Sequence, residues 1–201
     1  MIGLWDTDIT LKLAACNCLP ATLAVLGLAK NDVYVFREEA YRVYAHNAEV
    51  IADYSVEARK RALKFINDAH RVDVEIDAEE QFFMNMEDID PGEQVLFGAT
   101  RSYSDFRLVM ADRKALRLLT VANGCGGICA RLQGRVICLE QILLLLIPHL
   151  GYDDLRARVT LYASVDAAFD APFQGTQQEA EALLRERIFV LRSQTRDLLI
   201  P

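Results

Sequence analysis

Ile2-Gly3-Leu4-Trp5-Asp6-Thr7-Asp8-Ile9-Thr10-Leu11-Lys12-Leu13-Ala14 is the stretch that decides the fold class. Four apolar residues read as a buried strand, and the chain passes directly through two carboxylates into helically spaced apolar residues. A buried strand that ends in acids leaves them at the carboxyl edge of a sheet, where open α/β folds bind their ligands. Two close carboxylates repel each other unless a positive charge lies between them, and a divalent ion is the usual answer. Asp8 also has a purely structural reading, as the cap of the following helix. Asp6 has none, so Asp6 is the stronger candidate for a metal ligand.

The same arrangement recurs downstream. Phe106-Arg107-Leu108-Val109-Met110-Ala111 reads as a buried strand ending at Asp112, and Arg113-Lys114-Ala115-Leu116-Arg117-Leu118-Leu119 as the helix after it. Between the two copies, Asn31-Asp32 turns the chain into a short strand, Val33–Phe36. Helix formers fill Ile9–Cys18 and Pro20–Leu28, then Glu38–His46, and Val56–Asp68 behind Ser55 as cap. Val72–Ile76 alternates with period two, as an edge strand or extended connector, and a short helix is expected over Ala78–Met86. Asp90-Pro91-Gly92-Glu93 opens another helix, with Asp90 as cap, Pro91 in first position and Glu93 three residues after the cap. That helix is expected to run to about Ser102. Val136–Leu139 is the last strand, with helix through Leu150. Thr176-Gln177-Gln178-Glu179 is a capping box, and its helix lines up Ala180, Leu183, Leu184, Ile188 and Leu191 on one face.

Strands alternating with helices predict an α/β class: three layers, α/β/α, around a central, mostly parallel sheet. The expected division is an α/β domain over 1–150 and a helical C-terminal extension over 151–201, packed on it.

Composition bounds the reading further. A chain of 201 residues, 52% hydrophobic and 25% charged, has ample material for one packed core. Asp6 and Asp8 interrupt the apolar start, so no signal peptide is expected. The longest apolar run, Ile142 to Ile147, falls far short of the ~20 residues of a membrane helix. The expectation is a cytoplasmic protein with no membrane partner. Of five cysteines, Cys16 and Cys18 face different sides of a helical region, and Cys125 and Cys129 flank a Gly-Gly-Ile turn. With His46, His70 and His149 scattered, none has zinc-site spacing, and packing as reduced thiols is the expected role.

The net charge of −7 argues against a nonspecific nucleic-acid coat, but the charge is unevenly spread. Asp68 to Glu93 holds ten acids and Arg71 as its one strong base, whereas Arg101 to Arg135 holds seven bases against Asp105 and Asp112. A basic patch beside an acidic pocket suits a phosphodiester, although solvated helix faces produce the same pattern.

If the strands ending in Asp6 and Asp112 are neighbours, and Glu93 reaches the same edge, the three form an all-oxygen site with Asp8 as a fourth member. Hard oxygen ligands suit Mg²⁺ or Mn²⁺ rather than zinc, and such a site neutralises a scissile phosphate and activates water. Each residue has a duller reading beside this one: Glu93 completes the capping box with Asp90, and Asp112 caps the helix from Arg113.

Three segments together resemble PIN-domain proteins over about residues 1–140. Trp5-Asp6-Thr7-Asp8-Ile9-Thr10-Leu11-Lys12-Leu13 is similar to that family's opening. Asp90-Pro91-Gly92-Glu93-Gln94-Val95-Leu96-Phe97 resembles the segment carrying its central acid. Asp105 to Leu116 resembles its strand-then-Asp segment, and the 19-residue step from Glu93 to Asp112 also suits the family. The resemblance implies a Mg²⁺- or Mn²⁺-dependent endoribonuclease with Asp6, Glu93 and Asp112 as metal ligands and catalytic acids, and with Asp8 in support. It also implies an acid in the helix after the second strand. Here that position falls near Tyr41, and Glu39 or Glu38 lies up to one turn early. Met110-Ala111 also replaces the small polar pair usual before Asp112. Arg113 and Lys114 are candidate contacts to the RNA backbone. Many proteins of this kind are toxins with an antitoxin partner, and the last helix suits core packing, a homodimer or a regulatory protein. The alternative is a PIN-like domain with weakened catalysis that serves as a binding or regulatory module. A haloacid-dehalogenase-like phosphotransferase ranks below both, because its later motifs have no counterpart here.

Overall fold

A computed structural model describes residues 1–72, 89–122, 124–161 and 166–201, with the side chains of Glu39, Arg42 and Ala167 outside that description. Five strands form one all-parallel sheet: β1 (Ile2–Trp5), β2 (Val33–Val35), β3 (His70–Arg71), β4 (Phe106–Met110) and β5 (Val136–Cys138). Their order is β3-β2-β1-β4-β5. β1 is central, with Gly3 opposite Val33 on one side and Leu4 opposite Leu108 on the other. The strand that ends in Asp6 and the strand that leads to Asp112 are therefore direct neighbours. Gly3 is required here, because a Cβ would lie 2.6 Å from the Trp5 indole nitrogen.

The pleat sorts the core into two layers. Trp5, Val33, Val35, Val109 and Ile137 face one side. There they meet α1 (Thr7–Ala15), α2 (Leu19–Leu26), α3 (Arg37–His46), α5 (Val56–Asp68) and α9 (Leu139–Leu150). Leu4, Leu108, Met110, Val136 and Cys138 face the other side, toward α6 (Pro91–Ala99), α7 (Arg113–Val121) and α8 (Gly126–Leu132). Alternate strand residues thus feed opposite layers, and the result is the three-layer α/β/α arrangement.

The helical C-terminal part comprises α10 (Tyr152–Thr160), α11 (Ala167–Asp170), a 3-10 turn (Ala171–Gln174) and α12 (Gln177–Gln194). α12 packs against α9 and α7. It puts Leu184 into the first layer and Ile188 and Leu191 into the second. Beyond it the chain returns to the sheet: Val136 N donates to Leu198 O, and Ile200 N to Val136 O, at 3.0 and 2.9 Å. The end of the chain therefore closes the outer edge of β5.

Several boundaries differ from expectation. The first helical run is broken: α1 stops at Ala15, Asn17 takes a left-handed φ of 53°, and α2 leaves at 117°. The expected Gly-Gly-Ile turn between Cys125 and Cys129 is instead the first turn of α8. α6 ends at Ala99 rather than about Ser102, where the Thr100 hydroxyl donates to Phe97 O at 2.6 Å. An unexpected helix, α4 (Ala48–Asp53), starts behind Asn47, whose side chain accepts from Glu49 and Val50 N. The expected helix over Ala78–Met86, and Val72–Ile76 beyond Val72, lie outside the described residues. All five cysteines are free, and burial raises the Cys16, Cys18 and Cys138 thiols well above their usual range. Among the described residues no single helix is long and apolar enough to cross a membrane.

Candidate metal centre

Asp6 sits where β1 gives way to α1. Its N–H donates to Val109 O at 3.0 Å, which extends the β1–β4 ladder by one bond. Its position is the N-cap of α1, yet its side chain makes no capping bond. The capping role expected of Asp8 is thus unfilled, because Asp8 lies inside the first turn. The Thr7 and Ala111 N–H groups donate to the Asp6 carboxyl, but Oδ2 is buried without a partner. Burial, then the Asp8 charge, pushes this carboxyl up to about 7.

Asp112 follows β4 and is the N-cap of α7, its Oδ1 accepting from Lys114 N and Ala115 N at 2.5 and 2.9 Å. Glu93 comes from the first turn of α6, where it completes the capping box by accepting from Asp90 N at 3.2 Å. Both dull readings are therefore correct as geometry. They do not exhaust the side chains, since Glu93 also hydrogen-bonds the Asp112 carboxyl. Burial, followed by the charges of Asp112 and Asp6, pushes Glu93 up to about 9. Two carboxyls this close disfavour a second negative charge beside the first, which adds to the effect of burial on Glu93.

Asp6, Asp8, Glu93 and Asp112 line one cavity of about 320 Å³ at the carboxyl edge of the sheet. The wall opposite is Val43, Val50 and Tyr54, from α3, α4 and the residue after α4. Asp8 belongs to the rim: Lys12 holds it at 2.8 Å and reaches Asp166 at 2.9 Å. Burial works against the Lys12 charge, but the two acids hold its pKa above the usual range. Arg113 is paired at 3.5 Å with Glu140, a buried acid at the start of α9, and Lys114 is exposed.

The helix after β2 does not resolve the question of its acid. Tyr41 is turned outward against His46, Glu38 is paired with Arg71 at 2.8 Å, and Val43 faces the cavity. The Glu39 side chain lies outside the described residues.

As donors, Asp6, Glu93 and Asp112 fit a hard divalent cation: all are oxygens, and one is a buried oxygen lacking a partner. Among the described residues, however, no group of three or more His, Cys, Asp or Glu side chains is set to hold a metal ion as it stands. Occupation would require Glu93, whose burial favours the protonated form, to give up its proton. Three neighbours escaped the sequence reading: Lys12, Glu140 and Asp166. Glu140 was the most legible, because Val136-Ile137-Cys138-Leu139-Glu140 repeats the pattern of an apolar strand running into an acid. Asp166 carries no motif, and only the return of the C-terminal part brings it to Lys12. Set beside known proteins, the chain matches no family model, no curated sequence and no solved structure.

Proposed function

We propose that the chain is a PIN-like endoribonuclease that hydrolyses RNA phosphodiester bonds at a Mg²⁺ or Mn²⁺ site. One observation carries the reading: carboxyls from three separate segments meet in one cavity, and the charges acting most strongly on Asp6 and Glu93 are other carboxylates. Burying such a set uncompensated is costly, and proteins that keep one generally use it for an ion or a reaction. Asp6, Glu93 and Asp112 would hold the ion, with Asp8 and Glu39 in support. When bound, the ion would offset charge on the scissile phosphate and lower the pKa of a water.

The chain's own residues set the stage for that chemistry. The Thr7 and Ala111 N–H groups orient the Asp6 carboxyl, and the α7 amides orient that of Asp112. Lys12 anchors Asp8 at the rim. Arg113 and Lys114, the two residues after Asp112, would serve for phosphate contacts, Arg113 steadied by Glu140. The test is incubation of purified protein with single-stranded RNAs and Mn²⁺. Cleavage lost in Asp6→Asn supports the reading. Intact RNAs, together with no Mn²⁺ binding by calorimetry, reject it.

A second reading is a catalytically weakened domain that binds or regulates a partner, as an antitoxin-paired or regulatory protein would. It draws support from the raised Glu93 carboxyl beside Asp112 and from Val43 facing the cavity from the helix after β2. Mn²⁺ calorimetry separates the two, because such a module has no need of an ion.

A further inference from the structure

A second cavity, of about 200 Å³, lies at the amino edge of the sheet and, among the described residues, shares none with the metal centre at the carboxyl edge. It opens between the end of α1, the start of α2, the end of α5 and the 3-10 turn Lys30–Asp32 that leads into β2. Buried Leu19, Leu23 and Val33 form its floor, and half-buried Phe65 lines it from α5. Lys30, Arg61 and Lys64 line it as well, and Asp68 is the one acid among its described residues. The hollow is therefore apolar below and positive above.

Those cations are not spent on the protein. Lys30 and Lys64 are exposed, and among the described residues neither ammonium has a hydrogen-bond or ion-pair partner. Arg61 is half-buried and held in place: its Nε donates to Ala14 O at 2.7 Å and its Nη2 to Ala15 O at 3.1 Å. Covering the carbonyl end of α1 accounts for those two nitrogens, but Nη1 has no partner among the described residues. Solvation explains two exposed lysines; it does not explain a fixed guanidinium with a spare nitrogen beside an apolar hollow. A pocket of this kind suits a ligand with an apolar body and an acidic head. Its volume is below the about 300–1,000 Å³ that holds a drug-sized molecule, so the body is short. Asp68 offsets one of the three cations, which weighs against a head group of two charges. From this we infer that the α1–α2–α5 hollow binds a small carboxylic acid with a short aliphatic or single-ring body, its carboxylate toward Arg61, Lys30 and Lys64. The inference does not rest on the nuclease reading, because the metal centre lends this hollow no residue.

The test is calorimetric titration of the full chain with butanoate, hexanoate and octanoate, and with 1-hexanol as the uncharged counterpart of hexanoate. Affinity should rise about fourfold for each methylene added, until the hollow is full. Hexanoate should bind about tenfold more tightly than 1-hexanol, the effect of a charged head among unpaired cations. Lys30→Glu combined with Lys64→Glu should weaken octanoate by about tenfold or more and leave 1-hexanol unchanged. Both lysines are exposed, and unchanged thermal melting of the double variant shows that the fold is intact. Trp5, the single tryptophan of the chain, packs edge-on against Phe65 with ring centroids 5.1 Å apart, so its emission should follow the octanoate isotherm. No heat at millimolar octanoate overturns the inference, and so does an isotherm that Trp5 emission ignores. Affinity that is flat along the series, equal for hexanoate and 1-hexanol, or indifferent to the two charge reversals overturns it equally.

Discussion

Two sets of carboxylates stand a few residues apart at the same sheet edge, and the protein treats them differently. Asp8 and Asp166 share Lys12, and Glu140 has Arg113. Among the described residues no cationic side chain pairs with Asp6, Glu93 or Asp112, which have one another and a few backbone amides. The first set is finished, and its acids tie the C-terminal part and α9 to the edge. The second set is incomplete: Asp6 leaves a buried oxygen without a partner, and the pKa values of Asp6 and Glu93 are raised toward neutrality or above. The chain thus pairs three neighbouring acids with cations and leaves three others uncompensated, and buried uncompensated acids of that kind are the ones the proposed function draws on.

Neutralising one member of each set should have very different consequences. Asp6→Asn or Asp112→Asn should reduce Mn²⁺-dependent RNA cleavage by about 10³-fold or more, since an ion's charge supplies several kcal/mol at ~1.4 kcal/mol per tenfold. Single-turnover cleavage of an end-labelled RNA measures this. Equal losses for Asp6→Asn and Asp166→Asn would erase the distinction between the sets.

The uncompensated acids should also show in the pH dependence of stability. Asp6 and Glu93 have folded pKa values of about 7 and about 9, against ordinary carboxyl values of 3.8 and 4.5. The folded state therefore holds more protons than the unfolded chain throughout that window, and stability falls as pH rises. In chelator, the melting temperature should decline steadily from the ordinary carboxylate range to about pH 9. Glu93→Gln should flatten the upper part of that decline. Mn²⁺ should raise the melting temperature most at the alkaline end, where fewer protons compete for the same oxygens. A melting temperature that climbs from pH 5 to pH 8 in chelator would contradict both shifts.

The finished set answers to a different measurement. Lys12→Met leaves Asp8 and Asp166 facing each other without a cation. The expected loss is about 2 kcal/mol by urea unfolding, below the ~3–5 of a fully buried pair because Asp8 is 48% exposed and screened by water. Stability at or above that of the wild type would show that Lys12 is dispensable to the edge.

What the sequence disclosed of this edge, and what it concealed, follows from the range of the forces involved. Strand β1, the β4-to-Asp112 step, the capping box at Asp90 and Glu93 and the box at Thr176 were all legible, because caps and pleats act over a few residues. The adjacency of β1 and β4 was an assumption from the pattern, and the register of Trp5 opposite Val109 now supplies it. The break at Cys16–Cys18 was not legible. It depends on Asn17 adopting a left-handed backbone and on Arg61, 46 and 47 residues away in the sequence, which donates to Ala15 O and Ala14 O. Lys12 shows the same limit. Its spacing from Asp8 was visible in the sequence, but Asp166 reaches it only because the C-terminal part folds back.

Asp8→Asn is the subtlest discriminator, because Asp8 touches both sets. It lines the cavity and raises the Asp6 carboxyl, yet its own oxygen is committed to Lys12. A group that acts on the ion only through its field should matter far less than a ligand, so Mn²⁺ affinity should fall by about tenfold at most. The same change removes a negative charge beside Asp6, so the Asp6 carboxyl should titrate lower than about 7 and metal binding should begin at a lower pH. Calorimetric titration of Mn²⁺ at several pH values reads both effects. A collapse of affinity as deep as that of Asp6→Asn would move Asp8 into the incomplete set and assign Lys12 the task of releasing it to the ion.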